Sequence, residues 1–252
     1  MDRWFPVARS AEVLPRHIAQ TQLLGQEIAL WRADTGTINA WENRCPHRGV
    51  RLSVGDNTGT ELRCQYHAWR FASGSGQCTF IPAHPTQKPA SGIHARVYAA
   101  IERYQFVWVN LAPHAVDSHS DEPDLHVTET ERDATLRSIF VNAPAAAVRS
   151  VLLRGYQVDA ATESSVVAAD AFTLTANTDA ELGEAPAMVF LLQPVTETQT
   201  IIHGLLQPAP APVERLGTLH HHNIQMSALR DEAERLYATA EIPKRLGQRA
   251  AC

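Results

Sequence analysis

Four side chains that can bind a metal stand close together near the amino end of the sequence. Cys45 and His47 form one pair, and Cys64 and His67 form a second pair after residues 48–63. Each pair joins one thiol to one imidazole, and we expect the pairs to lie at two hairpin tips that clamp a metal centre. In one such centre, two thiolates bind one iron of a [2Fe–2S] cluster and two imidazoles bind the other.

A structural zinc ion is a second candidate for these four residues, because thiolates and imidazoles at such spacings can hold zinc. Zinc sites usually pair like with like, as Cys-x-x-Cys and His-x-x-x-His, whereas each pair here is mixed. The four residues could also be unrelated, with the cysteines buried for packing alone. The ligand types favour the cluster over both alternatives.

Together with the residues around it, this pattern resembles a motif of a known family. Cys-x-His followed by Cys-x-x-His, with Pro46, Gly49, Tyr66 and Trp69 beside it, resembles the Rieske [2Fe–2S] motif. The chain from Arg3 to Leu111 resembles the N-terminal domain of Rieske oxygenases of the vanillate O-demethylase and toluenesulfonate monooxygenase type. The resemblance rests on Trp4 to Pro6, Asn43 to Gly49, Leu52-Ser53, Cys64 to His67, Trp69, Phe71, Gly76, Cys78, Ile81-Pro82 and Phe106 to Val109.

The resemblance implies one [2Fe–2S] cluster with Cys45, His47, Cys64 and His67 as its ligands. Neutral imidazoles in place of two thiolates leave less negative charge on such a cluster, so it accepts an electron more readily. No further cysteine stands beside either ligand pair, which favours the oxygenase and ferredoxin branch over the membrane-anchored respiratory one. Ala68 stands where the family usually has glycine, and we expect only a small adjustment of the loop there.

Two residues near the ligands are predicted to have structural roles. Cys78 matches a cysteine that is common in this branch, and we expect a buried thiol because free cysteines are usually buried. Trp69 is expected to pack under the ligand loop rather than to form an electron path. The remaining cysteine, Cys252, gives no disulfide framework with Cys78.

Composition excludes some classes of function. The chain has 252 residues, 44% of them hydrophobic and 19% charged, as in ordinary globular proteins. A formal net charge of −5 offers no basic face for nucleic acid or an anionic membrane. The first residues contain no apolar run of signal-peptide length, and no apolar stretch is long enough to span a bilayer. Cluster thiolates without disulfides suit a reducing interior, so we expect a cytoplasmic protein.

The hydrophobic pattern predicts an α+β fold with two domains. Residues 1–113 read as an all-β Rieske domain, with a hairpin over Gln26 to Trp41 and a strand at Gln105 to Asn110 buried on one face. Residues 114–134 are polar and predict a linker. Residues 135–252 predict a strand, a helix over Ala145 to Leu153, antiparallel strands and a helix over Leu219 to Thr239. That order resembles a shortened helix-grip catalytic domain.

The second domain of a complete Rieske oxygenase holds a mononuclear iron on two histidines and one carboxylate. The family supplies the histidines from Asp-x-x-His-x-x-x-x-His, and its aspartate bridges to the cluster of a neighbouring subunit. Asp159 falls on that aspartate, but Thr162 and Val167 fall on the two histidines. A threonine hydroxyl is a poor ligand for ferrous iron and valine is none, so we expect the mononuclear iron to be absent.

An unusual iron site remains open as an alternative. His203, one member of the His220–His222 run and Asp231 could converge in a rearranged site. The simpler interpretation is that His220–His222 begins a helix in solvent.

Two functions follow from these expectations. In the first, the chain is an electron-transferring accessory subunit that takes electrons from a flavin or ferredoxin-type reductase and donates them to an oxygenase chain. The resemblance implies trimer-based homo- or hetero-oligomers for this role. In the second, the chain is a self-sufficient monooxygenase or O-demethylase that acts on an aromatic compound through the rearranged iron site.

Overall fold

The computed structural model describes residues 2–112, 122–126, 133–156, 164–178, 188–207, 211 and 213–249, with side chains of the last helix described to residue 240. Contacts divide the chain into two compact units, Met1–Leu125 and His126–Cys252. The predicted boundaries at residues 113 and 134 lie near this division, and most of the predicted linker lies outside the described residues.

The first unit is built from antiparallel strands. Its larger sheet has the order β1-β10-β9-β4-β3-β2, and its smaller sheet has the order β5-β6-β7-β8. The strands are β1 (Trp4–Arg9), β2 (Ile18–Leu23), β3 (Gln26–Arg32), β4 (Ile38–Glu42), β5 (Asp56–Asn57), β6 (Glu61–Arg63), β7 (Arg70–Ala72), β8 (Cys78–Phe80), β9 (Val97–Arg103) and β10 (Phe106–Asn110), with short 3-10 turns at Ser10–Glu12 and Leu52–Val54.

The predicted hairpin is present as β3 and β4, which pair from Ile28 opposite Glu42 to Arg32 opposite Ile38. Trp31 and Trp41 from these strands meet edge to face at 5.1 Å between ring centroids, and both are fully buried. Aromatic pairs in this geometry add to the stabilisation that burial gives. The hairpin therefore contributes to the core in which Cys45 and Cys64 also lie.

The prediction of one buried face for β10 was wrong. All five residues of Phe106–Asn110 are buried, because β10 lies between β1 and β9 inside the sheet and both of its faces are covered. Alternation of aromatic and smaller residues therefore did not mark an exposed side. A strand covered on both faces needs no polar residue at every second position.

The described part of the second unit combines an antiparallel sheet with two helices. In the described part of this sheet the order is β11-β16-β15-β14-β13, and β12 also pairs with β16. The elements are β11 (Ala134–Thr135), β12 (Ile139–Val141), α1 (Ala145–Leu152), β13 (Ser164–Ala168), β14 (Thr173–Thr178), β15 (Met188–Thr196), β16 (Gln199–Leu206) and α2 (Arg215–Arg249). The predicted α+β class is thus confirmed.

Two local predictions in this unit need correction. Leu136 to Val141 is not one strand, because the strand is interrupted at residues 136–138, although the N–H of Leu136 still donates to the carbonyl of Gly204 on β16 at 2.8 Å. Asn142 does not cap α1: its backbone N–H and side-chain amide donate to Glu234 of α2 at 2.8 and 3.2 Å. Asn142 therefore ties the start of α1 to α2.

The turn between β7 and β8 provides a test of backbone constraint. Gly74 and Gly76 both have positive φ, at 76° and 65°. A Cβ on Gly76 would lie 2.6 Å from the carbonyl oxygen of Ala95, whereas a Cβ on Gly74 would meet nothing within 4 Å. The two glycines therefore share a conformation but differ in the space around them.

We expect Gly76→Ala to lower the free energy of unfolding of the first unit by about 2 to 4 kcal/mol, from left-handed strain plus a backbone clash. Gly74→Ala, the matched control, should cost only about 1 to 2 kcal/mol. All five tryptophans lie in the first unit, so denaturant unfolding followed by tryptophan fluorescence measures both variants. Equal losses would contradict the role given to the Ala95 carbonyl.

Candidate metal centre

The first metal-binding pair lies on a loop closed by two backbone hydrogen bonds. The N–H of Cys45 donates to the carbonyl of Val50 at 2.8 Å, and the N–H of Gly49 donates to the carbonyl of Cys45 at 2.8 Å. Gly49 has a φ of 73°, so the chain turns sharply at a residue without a side chain. We call residues 45–50 the first ligand loop.

The second pair lies on a loop that is closed in the same way. The N–H of Cys64 donates to the carbonyl of Trp69 at 2.9 Å, and the N–H of Ala68 donates to the carbonyl of Cys64 at 3.1 Å. Ala68 takes a φ of 54° at the position that matches Gly49. We call residues 64–69 the second ligand loop. This equivalence gives a physical reason why glycine is expected at position 68, because the loop requires a conformation that glycine adopts more easily than alanine.

The two cysteine side chains meet inside the protein. Cys45 and Cys64 are each 3% exposed and belong to the core around Trp31 and Trp41. Burial and a hydrogen bond with the Cys64 thiol raise the pKa of Cys45 to about 11, burial being the larger cause. Two thiolates side by side in this apolar setting need a compensating cation, which metal ions supply.

The two histidine side chains meet at the surface. The rings of His47 and His67 lie 4.8 Å apart between centroids; His67 is exposed and His47 is half-buried. Partial desolvation, the nearby His67 and the charge of Arg48 lower the pKa of His47. These effects favour the neutral imidazole, which is the form that binds metals.

Aromatic rings flank both imidazoles. Trp69 stacks on His47 with 4.2 Å between centroids and planes 7° apart, and Tyr66 lies against His67 at 3.8 Å and 39°. Trp69 is therefore a direct neighbour of one imidazole. The ring contact between Tyr66 and His67 was not predicted from the sequence, although their adjacency in the sequence was the available signal.

Polar contacts hold the first ligand loop to the sheet. Asn43 accepts from the backbone N–H of Ser53 at 2.8 Å and donates to its hydroxyl at 3.0 Å. Arg51 donates to both carboxylate oxygens of Glu27 on β3 at 2.9 and 2.5 Å. These bonds fix the loop from both ends, so the ligand positions are set by the rigid strands below.

Cys78 lies away from the loop tips, on β8. Its side chain is 3% exposed, and its thiol lies 3.8 Å from the carbonyl oxygen of Phe80. Burial raises the pKa of the Cys78 thiol. These observations agree with the predicted buried structural thiol.

The sequence-predicted residues of the second unit are only partly described. Asp159 and Thr162 lie outside the described residues, so the predicted bridge and the first histidine position remain predictions. Val167 lies on β13 with its side chain 57% exposed. An exposed valine on a sheet offers no ligand to a buried metal.

The rearranged iron site is not formed by the described residues. Both ring nitrogens of His203 are used, by the Ser138 hydroxyl at 2.8 Å and the Gln193 amide oxygen at 2.9 Å. Asp231 is exposed and bonded to Arg230 at 2.8 Å. Among the described residues of the second unit, no three His, Cys, Asp or Glu side chains converge on one metal position.

The expectation that His220–His222 lies in solvent was wrong for His222. Its side chain is 1% exposed, and its Nδ1 shares a 2.7 Å hydrogen bond with the Tyr156 hydroxyl. Burial, and to a lesser extent the neighbouring His221, lower the pKa of His222 to about 4. The run occupies the second turn of α2 rather than its start, so one of its members turns towards the core.

Comparison with known families agrees with the geometry of the two loops. Residues 3–100 match the family described as the Rieske [2Fe-2S] domain. The chain therefore contains a Rieske domain. Such a domain implies a [2Fe–2S] cluster, and the four loop side chains fit that group as two neighbouring thiols and two neighbouring imidazoles.

Relatives over this domain are components of oxygenase systems and longer oxidoreductases. Oxidoreductase NdmD of Pseudomonas putida is 42% identical over 152 residues, 60% of this chain and 26% of that protein. The iron-sulfur subunit TsaM1 of the toluene-4-sulfonate monooxygenase system of Comamonas testosteroni is 33% identical over 106 residues, 42% of this chain and 30% of that protein. The chain thus covers less than a third of either relative.

The fold of both units also has a counterpart in solved structures. A crystal structure of dicamba monooxygenase matches 99% of this chain and 90% of its own, with a TM-score of 0.75 and 19% identity. At this level of identity the likeness establishes a shared fold. No helix in the described part of the chain is long and apolar enough to cross a membrane.

Replacing Ala68 tests the strain assigned to the second ligand loop. We expect Ala68→Gly to raise the free energy of unfolding of the first unit by up to about 1 kcal/mol, because the left-handed backbone then carries no Cβ penalty. Ala72→Gly on β7 should instead lower it by roughly 0.5 to 1 kcal/mol. Tryptophan fluorescence during denaturation compares the two, and destabilisation by both would refute the assignment.

The buried His222 predicts a pH-dependent stability of the second unit. Its folded pKa of about 4 lies below the ordinary value of 6.5, so the unfolded chain binds the proton first as pH falls. Stability is therefore complete above about pH 6.5 and falls by roughly 3 kcal/mol on approaching about pH 4. His222→Gln should remove most of this slope.

His220→Gln is the matched control, since His220 is exposed on the same helix. Both described α-helices lie in the second unit, so far-ultraviolet circular dichroism follows its unfolding at each pH. An unchanged slope in His222→Gln would show that another group governs the acid limb.

Proposed function

We propose that Cys45, His47, Cys64 and His67 hold one Rieske [2Fe–2S] cluster. The observation that carries this proposal is the sorting of side chains, with thiol beside thiol in the core and imidazole beside imidazole at the surface. A single zinc ion would instead draw all four side chains around one point. The cluster, when bound, supplies a one-electron redox step.

The two ends of the site then have different roles, one buried and one exposed. The buried cysteines lie in the core beside Trp31 and Trp41, which keeps water from the thiolates. The exposed His67 offers the part of the site that another molecule can reach. Electrons therefore enter and leave on the histidine side.

We propose further that the chain serves mainly as an electron-transferring accessory component without its own mononuclear iron. Thr162 and Val167 supply no ligand at the positions where the resemblance expects histidine, and the exposed Asp231 is engaged by Arg230. The relative NdmD is called an oxidoreductase rather than an oxygenase subunit, which supports a role in electron supply.

The alternative is a self-sufficient oxygenase, and one observation favours it. The likeness to dicamba monooxygenase extends over both units, so the chain has room for a complete catalytic domain. Such an enzyme would act on an aromatic compound through a rearranged mononuclear iron site. The contacts of His203 and Asp231 speak against the ligand set predicted for that site.

The partners follow from the accessory role. A flavin or ferredoxin-type reductase would donate electrons, and a complete oxygenase chain would receive them in a trimer-based oligomer of one or two kinds of chain. Asp159 would serve as the bridge between subunits. A cytoplasmic location suits this assembly, because cysteine ligands survive best in a reducing compartment.

Iron analysis of the reconstituted chain tests the two functions. We expect two iron atoms per chain, a Rieske electron paramagnetic resonance signal after reduction, and no oxygen uptake with reductase and aromatic substrates unless an oxygenase chain is added. Three irons per chain with substrate-dependent oxygen uptake would establish the self-sufficient enzyme. A colourless protein with one zinc would overturn both.

Cysteine variants give this test its internal control. Cys45→Ser should lose the visible and paramagnetic signals of the cluster, since a serine hydroxyl is a poor substitute for thiolate. Cys78→Ala removes a thiol that is equally buried but lies off the loop tips, and it should keep both signals. Loss of the cluster in both variants would point to misfolding rather than to ligand loss.

A further inference from the structure

The chain around the histidine side of the site is strongly basic. The segments 44–51 and 63–70, which contain both ligand loops, carry five arginines and no aspartate or glutamate. The chain as a whole has a formal net charge of −5, so the rest of it carries −10 (−5 minus +5). The charge left at this surface depends on which of the five arginines have a carboxylate partner.

Three of the five arginines are neutralised by neighbouring carboxylates. Arg51 pairs with Glu27 at 2.5 Å and Arg63 with Asp56 at 2.7 Å. Arg70 lies 3.9 Å from a carboxylate oxygen of Glu61. These three arginines therefore have local structural roles.

The other two, Arg44 and Arg48, are exposed on the first ligand loop and its entry. No ion pair within 4 Å joins either of them to a residue that the structure describes. The Arg44 stem passes 3.9 Å from the position of a Cβ on Gly49, so this side chain follows the loop. Glu27 is close enough to interact with the charge of Arg44, but its carboxylate is already held by Arg51.

An exposed aromatic ring completes this surface. Tyr66 is 60% exposed although its ring lies against His67. Tyrosine and arginine are among the residue types that most often dominate binding at protein interfaces. We call Arg44, Arg48, Tyr66 and His67 the docking surface.

We propose that the docking surface binds the acidic face of a one-electron redox protein, with Arg44 and Arg48 steering the encounter and Tyr66 making the central contact over His67. This inference rests on the proposed electron-transfer function. Opposite charges raise the rate of encounter and orient the partners, so that the acidic face arrives at the imidazole rather than elsewhere.

A redox protein fits this surface better than a second copy of the same chain. The acidic remainder of the chain would attract the basic surface of another copy, but electron exchange between identical clusters yields no net transfer. A small contact dominated by two charges also suits a transient encounter, which must dissociate after each electron.

Stopped-flow oxidation and reduction of the holoprotein test the proposal. The reduced protein is mixed with hexacyanoferrate(III), an anion, or with tris(phenanthroline)cobalt(III), a cation, at low and high salt. In a second arm, the oxidised protein is mixed with a reduced acidic plant-type ferredoxin as the protein probe. At low salt, we expect Arg44→Gln/Arg48→Gln to lower the rate of electron transfer with the anion and with the ferredoxin on the order of tenfold. The rate with the cation should rise.

Three variants separate charge from folding. Arg44→Lys/Arg48→Lys keeps the charge and should keep most of the rate. Arg230→Gln/Arg235→Gln on α2 makes the same change in net charge far along the chain and should leave all rates unchanged. Tyr66→Ala should lower only the rate of electron transfer from the ferredoxin, since small ions need no contact surface.

The outcomes also separate this inference from the proposed function. No Rieske signal in the wild-type protein would end the proposed function itself. A normal signal with equal rates in the Arg44/Arg48 and Arg230/Arg235 variants would overturn the docking surface alone. Light scattering could also reveal salt-sensitive dimers that are absent in Arg44→Gln/Arg48→Gln. Such dimers would show that the surface binds a second copy of the chain, and they would likewise overturn the proposal.

Discussion

The proposed metal centre depends on two backbone hydrogen bonds in each of two short loops. In both loops the cysteine N–H reaches the carbonyl five residues on, and the cysteine carbonyl accepts from the N–H four residues on. This closure fixes the direction of the cysteine side chain and leaves the histidine on the outer part of the turn. The repeated geometry explains why two loops with different cysteine-to-histidine spacings can face one another as equivalent halves.

The same closure gives the site two contrasting environments. The cysteine ends are joined to a core that contains Trp31, Trp41 and Phe71, whereas the histidine ends stand on the surface. Because charge is costly in the core, thiolates are tolerated there only with a metal beside them. In the proposed centre, metal uptake would thus depend on the packing of the first unit, while the imidazoles stay within reach of other molecules.

The features that could be predicted from the sequence are those that depend on a local pattern of residues. The two Cys–His pairs stood out by their residue types and spacing, and their role as cluster ligands stays a prediction. The β3–β4 hairpin followed from alternation around Asp34 to Gly36. The burial of β10 on both faces and of His222 did not follow, because each depends on a neighbour distant in the chain. Tyr156, which receives His222, is 66 residues away.

The backbone conformation of the second ligand loop and the presence of β9 could not be predicted from the sequence either. Sequence alone marks Ala68 as a small departure from glycine, but its positive φ and its equivalence to Gly49 are properties of the folded backbone. β9, with the sequence Val-Tyr-Ala-Ala-Ile-Glu-Arg, lacks regular alternation and was not predicted as a strand. It forms a strand because it lies between β4 and β10 and pairs with both, which its own sequence pattern does not indicate.

The row of rings Trp69, His47, His67 and Tyr66 has a consequence for the speed of redox chemistry. Each imidazole is held between an aromatic ring and the other imidazole, so neither can rotate freely. Side chains whose rotamers are locked by packing need little rearrangement when the charge beside them changes. A small reorganisation energy of this kind lets electrons move quickly even when the driving force between partners is slight.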